Sequence, residues 1–114
     1  MFEYKVKEIL KVYDGDTITV LIDCGFHVYR RESLRLALID APEVRGDSRQ
    51  EGLKSRDWLR LKLYQAEELN KDIIIKTQKD KTGKYGRYIA EIFIDDISLN
   101  KQLVQEGLAI FKEY

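Results

Sequence analysis

Hydrophobic and polar positions alternate along the first forty residues of the chain. Residues 2–12, "FEYKVKEILKV", begin with strict alternation at Phe2, Tyr4 and Val6, and the phase slips at Ile9–Leu10. Alternation with period two marks a half-buried strand, and a slip of phase marks a bulge. "DTITVLID" places Ile18, Val20 and Ile22 on one face, and "LRLALI" predicts the same for Leu34, Leu36 and Leu38. Asp14-Gly15 joins the first two stretches as a tight hairpin, and "CGFH" begins a looser connection to the third. The period then changes. Ser48 and Glu51 have the spacing of a capping box, and Leu59, Leu63 and Ala66 follow at helical spacing with Trp58 and Leu61 beside them. "DIIIKT" and "RYIAEIFI" read as two more strands. "SLNKQLVQEG" reads as a short helix capped by Ser98, with Leu99, Leu103 and Val104 facing inward and Gly107 stopping it.

Three strands, a helix, two strands and a helix predict a mainly β (α+β) fold. It is a five-stranded antiparallel OB-fold barrel, with one helix between strands three and four and a short helix near the C-terminus. Neither repeat nor linker interrupts residues 1–114, so one domain is expected. A composition 44% hydrophobic and 35% charged suits a soluble globular chain and argues against disorder. No apolar run approaches the roughly 18 residues of a membrane span. The N-terminus, "MFEYKVKEIL", lacks the apolar segment of a signal peptide. The expectation is a monomer without a membrane partner, cytoplasmic or else a mature or trimmed secreted form. The single cysteine, Cys24, excludes an internal disulfide. Twenty basic residues balance twenty acidic ones, so any nucleic acid would be held at a small local site rather than on a basic face.

Four stretches put charged or special residues where bland ones would serve. "YDGDT" alone is a hairpin turn, and "DAPE", with the only proline of the chain, is a strand terminus with solvated acids. "KTGKYGR" alone is a basic loop, and "GLAIFKEY" alone is core packing. In an OB-type barrel the first hairpin, the end of strand three and the loop between strands four and five can approach one another. Asp14, Asp16, Asp40 and Glu43 would then be gathered with Arg35 and Arg87. Four carboxylates together repel unless a cation lies between them, and ligands that are all oxygen favour calcium or magnesium. His27 and Cys24 stand alone, so there is no zinc cluster, and the twelve-residue EF-hand loop is missing. Two guanidinium forks beside a hard cation suit a phosphate, and a spare carboxylate able to polarise a water would complete a hydrolytic site. In this reading Asp14-Gly15 makes the turn and Asp16 serves the metal.

With "DGDT", "RLALIDAPE", "KYGR" and "GLA" in that order, the chain resembles the staphylococcal nuclease (thermonuclease) family over nearly its whole length. The resemblance implies an OB-fold barrel and a calcium-dependent phosphodiesterase, an endonuclease or exonuclease acting on DNA and RNA. It implies that Asp16 and Asp40 bind calcium through carboxylates and Ala41 through its backbone carbonyl, with Asp14 behind them. Glu43 would hold and activate the attacking water. Arg35 and Arg87 would grip the scissile phosphate, Lys84 and Tyr85 a neighbouring one, and Tyr114 would belong to the nucleotide platform. The chain departs from the family at Ala41, where a threonine is usual, and at Glu113, where a base-contacting tyrosine is expected. It also ends before the family's C-terminal helix. The alternative reading is a nuclease-like OB module that binds nucleic acid without cutting it. Modules of that kind typically lose the acidic and arginine positions, which are kept here. A protein-interaction domain using the barrel as a scaffold is a third possibility.

Overall fold

Strand β1 (Phe2–Asp14) is long, and its inward positions are Val6, Ile9 and Val12, three residues apart rather than two. The computed structural model describes residues 2–82 and 87–112, and of residues 78–82 the backbone alone. The register of β1 on β2 (Thr17–Asp23) shifts between Val6 and Glu8, Ile9 and Lys11, and Val12 and Asp14. Each extra residue re-aims the next side chain inward and increases the local twist, which wraps the strand around the barrel. The single slip expected at Ile9–Leu10 is therefore one of three. The same phase turns Asp14 inward, at the end of the barrel, where it is 9% exposed.

Ile18, Val20 and Ile22 of β2 face the core as expected, as do Leu34 and Leu36 of β3 (Tyr29–Leu36). Leu38 does not. The strand ends at Leu36, Leu38 takes a left-handed conformation (φ 66°) and is exposed, and burial resumes at Ile39. This turn resets the phase and begins β4 (Ile39–Asp40).

After a single 3-10 turn at Gly46–Ser48, α1 (Arg49–Glu68) buries Leu59, Leu63 and Ala66 against the barrel; Leu61 is exposed. The capping box is not formed. Ser48 has φ −91° and ψ 6° rather than the extended backbone of a capping residue, and its side chain makes no cap bond. Its hydroxyl instead donates to the carbonyls of Glu43 (2.9 Å) and Arg45 (3.3 Å), tying down the segment that leads into the helix.

The remaining elements are β5 (Ile73–Thr82), β6 (Tyr88–Ile94), β7 (Ile97–Ser98), α2 (Leu99–Gln105) and β8 (Ile110–Phe111). Ser98 caps α2 as expected, accepting from the Lys101 N–H at 3.2 Å, and Gly107 follows the helix with φ 73°. Leu99 and Leu103 are buried, and Val104 packs half-buried against the same core.

The main sheet runs β3-β2-β1-β5-β6-β7 and closes through pairing of β3 with β6. That closing pair is parallel (Leu34 with Tyr88, Arg35 with Ile89, Leu36 with Ala90), so the barrel is mixed rather than wholly antiparallel. A ring of five strands cannot alternate direction all the way round, so one pair must be parallel. The result is the expected closed five-stranded OB-type barrel with two helices. Among the described residues no helix is long and apolar enough to cross a membrane.

Candidate active site

Antiparallel pairing of β2 with β3 brings the end of β3 to the β1–β2 turn. Thr17 is the partner of Arg35 across the strands, and the Leu36 N–H donates to the Asp16 carbonyl at 2.8 Å. Asp16 is only 5% exposed and its carboxylate is well supplied with donors. One oxygen accepts the Ala41 N–H at 2.8 Å and lies 3.3 Å from Arg35 Nη1; the other accepts the Thr17 hydroxyl at 3.1 Å. Nη2 of Arg35 donates to Asp40 Oδ1 at 3.2 Å. One guanidinium therefore joins two carboxylates from separate turns, the fork geometry for which arginine is suited. Arg87 enters from the start of β6, its Nη1 donating to Thr17 Oγ1 at 3.3 Å. Thr17 thus hands alignment from Asp16 to Arg87.

Asp14 lies behind this cluster, accepting the Asp16 N–H at 3.1 Å. Burial, together with the neighbouring Asp16 carboxylate, pushes its carboxyl up from 3.8 to about 7. Between those values the folded protein keeps a proton that the unfolded chain has released, so stability falls as pH rises from about 4 to about 7. Asp14→Asn, which retains an oxygen for the Asp16 N–H, should stabilise the protein at pH 7 and change little at pH 4. Thermal melts at the two pH values check this; an equal shift at both would remove Asp14 as the titrating group.

Glu43 is not gathered with the other acids. Its side chain is exposed and sits 3.7 Å from Arg45 Nε. Its main chain, however, is fixed. Gly52 of α1 presses so closely on it that a Cβ there would lie 2.2 Å from the Glu43 carbonyl oxygen and 2.8 Å from Val44 N. Gly15 fits the same way between Ala41 and Ser55, where a Cβ would lie 2.8 and 2.7 Å from their β-carbons. Ser55 is fully buried and donates to the carbonyls of Glu51 and Leu108. The first half of α1 is thus the platform on which both acidic turns rest. Sequence reasoning passed over Gly52 and Ser55, although a glycine inside a helical pattern is a signal of close packing. It also missed Lys112, which β8 pairing with β4 sets 3.9 Å from Asp40 Oδ2. Lys84, Tyr85, Glu113 and Tyr114 lie outside the described residues.

The donors are all oxygen, which suits a hard divalent cation. Among the described residues no three acidic, histidine or cysteine side chains gather where they could hold a metal ion. The structure brings together two candidate carboxylate ligands, Asp16 and Asp40, with Arg35 between them.

A family model described as staphylococcal nuclease homologue matches residues 33–114, a stretch that includes Arg35, Asp40, Glu43 and Arg87. The chain belongs to this family. It is similar to a protein named thermonuclease from Staphylococcus hyicus, 28% identical over 110 residues, covering 94% of this chain and 59% of the relative. It is similar also to endonuclease YncB of Bacillus subtilis, 27% identical over 106 residues, covering 87% of this chain and 44% of the relative. A third relative is the protein MJ1439 of Methanocaldococcus jannaschii, 29% identical over 127 residues, covering 94% and 59%. The chain therefore spans 44% to 59% of the length of these relatives. Membership of the staphylococcal nuclease homologue family agrees with the barrel and with the order of the charged turns around its end.

Proposed function

We propose that the chain is a calcium-dependent phosphodiesterase that hydrolyses DNA or RNA as a monomer. The observation that carries this reading is the cluster at the barrel end, where Arg35 holds Asp16 and Asp40 while Arg87 is aligned through Thr17. The names thermonuclease and endonuclease carried by two relatives support it.

Asp16 and Asp40, with the Ala41 carbonyl and water, would hold the cation. Bound calcium would act as a Lewis acid on a phosphate oxygen. Arg35 can neutralise either two carboxylates or a phosphate; once a cation serves the carboxylates, its fork is available to the substrate. Arg87 would join it on the scissile phosphate, offering two planar forks to a group whose negative charge is spread over several oxygens. Glu43, exposed to solvent beside Arg45, would accept a proton from the attacking water. Lys84, Tyr85 and Tyr114 are proposed to contact the neighbouring phosphate and base.

Calcium should raise the melting temperature by mass action, because only the folded chain presents both carboxylates. The shift should shrink in Asp40→Asn, and plasmid relaxation should require added calcium after chelation. Robust cleavage by chelator-treated protein, or a calcium shift of equal size in Asp40→Asn, would overturn the assignment.

A further inference from the structure

Both oxygens of the Asp40 carboxylate face a cation of the chain. Oδ1 accepts Nη2 of Arg35 at 3.2 Å, and Oδ2 lies 3.9 Å from Nζ of Lys112. The first contact comes from β3, the second from the residue that follows β8. Gly107 (φ 73°) turns the backbone out of α2. The Leu108 N–H then donates to the Leu103 carbonyl at 2.8 Å, and the Leu108 carbonyl accepts the Ser55 hydroxyl. Strand β8 pairs with β4, Ile110 opposite Asp40 and Phe111 opposite Ile39, and the Lys112 N–H donates to the Leu38 carbonyl at 2.8 Å. Backbone hydrogen bonds therefore fix the main chain of Lys112 beside that of Asp40, independently of either side chain.

This pairing changes the charge balance of the acidic turns. Asp16 and Asp40 bring carboxylates, and Arg35 and Lys112 bring a cation for each. Gathered carboxylates repel one another until a cation joins them. Here the chain supplies cations of its own. The two are not equivalent. Arg35 bridges both carboxylates and its side chain is only 13% exposed. The Lys112 side chain is 54% exposed, and its ammonium is a compact charge on a flexible four-carbon stem. Of the two, Lys112 is the one that an incoming divalent cation displaces at less cost.

We infer that Lys112 sets the calcium affinity of the site: it is the counter-ion of Asp40 in the metal-free protein, and calcium competes with it for Oδ2. The inference rests on the calcium reading proposed above and adds to it a residue that offers no donor oxygen. Two effects act in the same direction. Binding of calcium gives up the ion pair, and the ammonium, tethered by β8, then stays near a divalent charge of its own sign. Lys112 thus weakens binding and raises the calcium concentration at which Asp40 is occupied. Lys112 and Asp40 are both in contact with solvent, 54% and 42% exposed at their side chains, so salt screens both effects.

The test is calorimetric titration of chelator-treated, re-dialysed protein with calcium chloride in the absence of nucleic acid, so that binding is read apart from cleavage. Lys112→Met keeps a long flexible stem without the charge and should bind calcium about three- to ten-fold more tightly, the weight of one exposed ion pair together with the relieved repulsion. The gain should shrink toward none as salt rises from about 0.1 M to about 1 M, where the screening length falls to about 3 Å. Lys112→Arg keeps the charge and should bind no more tightly than wild type. Lys5→Met removes the same charge near the start of β1, beside Asp72, and should leave the affinity unchanged. The inference is overturned if Lys112→Met binds calcium like wild type, or if Lys5→Met or Lys112→Arg gains as much. It is equally overturned if the gain is indifferent to salt. A wild type whose calcium binding is lost in Asp40→Asn, while Lys112→Met changes nothing, defeats the inference and leaves the calcium reading standing. If neither wild type nor Lys112→Met binds calcium, the calcium reading falls and the inference with it. Binding by Lys112→Met where wild type shows none supports both.

Discussion

Arg35→Ala should lower the rate of phosphodiester cleavage by about three to five orders of magnitude, the range associated with an arginine that stabilises a phosphoryl transition state. It should also destabilise the protein in the absence of metal. Arg35 and Asp16 are 13% and 8% exposed at their side chains, and the same guanidinium serves Asp40. Removing it leaves the Asp16 carboxylate buried beside Asp14 with its cationic partner gone. Breaking a buried pair from one side costs up to about 3–5 kcal/mol, much of it the penalty of the charge left behind. The two effects are separable. Arg35→Ala combined with Asp16→Asn removes the stranded charge, so the melting temperature should recover while activity does not. Arg35→Lys should keep much of the stability and little of the rate, since one ammonium cannot make the fork to two carboxylates or to a phosphate. Denaturant melts and single-turnover cleavage of the four proteins check this. An Arg35→Ala protein as stable as wild type would show that the bridge between the two turns has no energetic weight.

Much of the barrel is legible in the sequence because its inward positions follow a period. Ile18, Val20 and Ile22 are apolar at every second residue, while β5 and β6 show as short apolar-rich runs. Where the period is broken, the signal fails for a physical reason. Three bulges in β1 re-aim its side chains one by one, so its inward residues fall three apart, and no fixed spacing describes a strand that coils this tightly. Leu38 reads as the third alternating position of "LRLALI", yet a left-handed turn at that residue resets the phase. The parallel closure of β3 on β6 is set by the odd number of strands and leaves no trace in any single segment.

The candidate site divides in the same way. Asp14, Asp16, Arg35 and Asp40 are visible as charges in places where strands and turns do not need them, and the structure brings them together. Glu43 is visible by the same argument, but it stands apart because its side chain points to solvent beside Arg45. The parts that hold the turns in place are small or apolar-looking residues. Gly52 and Ser55 look like ordinary helix positions until α1 is laid across the two acidic turns, which only the tertiary structure does. Lys112 reaches Asp40 through a two-residue strand pairing, too short for a periodic signal.

Glu43→Gln and Gly52→Ala should both reduce turnover, with opposite signatures in stability. The Glu43 side chain is 69% exposed and its nearest cation, Arg45, is 77% exposed. A solvent-exposed ion pair is worth at most about 1 kcal/mol, so Glu43→Gln should leave the melting temperature nearly unchanged. If Glu43 accepts the proton of the attacking water, turnover should fall by about two to four orders of magnitude with KM preserved. Gly52→Ala touches no ionisable group. Its new Cβ would meet the carbonyl oxygen and carbon of Glu43 at 2.2 and 2.5 Å and the Val44 nitrogen at 2.8 Å. All three are backbone atoms, so no flexible side chain can move aside, and either the helix or the Glu43 turn must shift. Forcing extra volume into a packed contact costs about 1–3 kcal/mol. A displacement near 1 Å of a catalytic group can cost about a hundredfold in rate. Gly52→Ala should therefore lose stability and turnover together. The double variant should be no slower than Glu43→Gln alone, because moving a side chain that no longer acts changes nothing. If the two losses multiply instead, Gly52 supports some other part of the site, and the link from α1 to Glu43 is wrong.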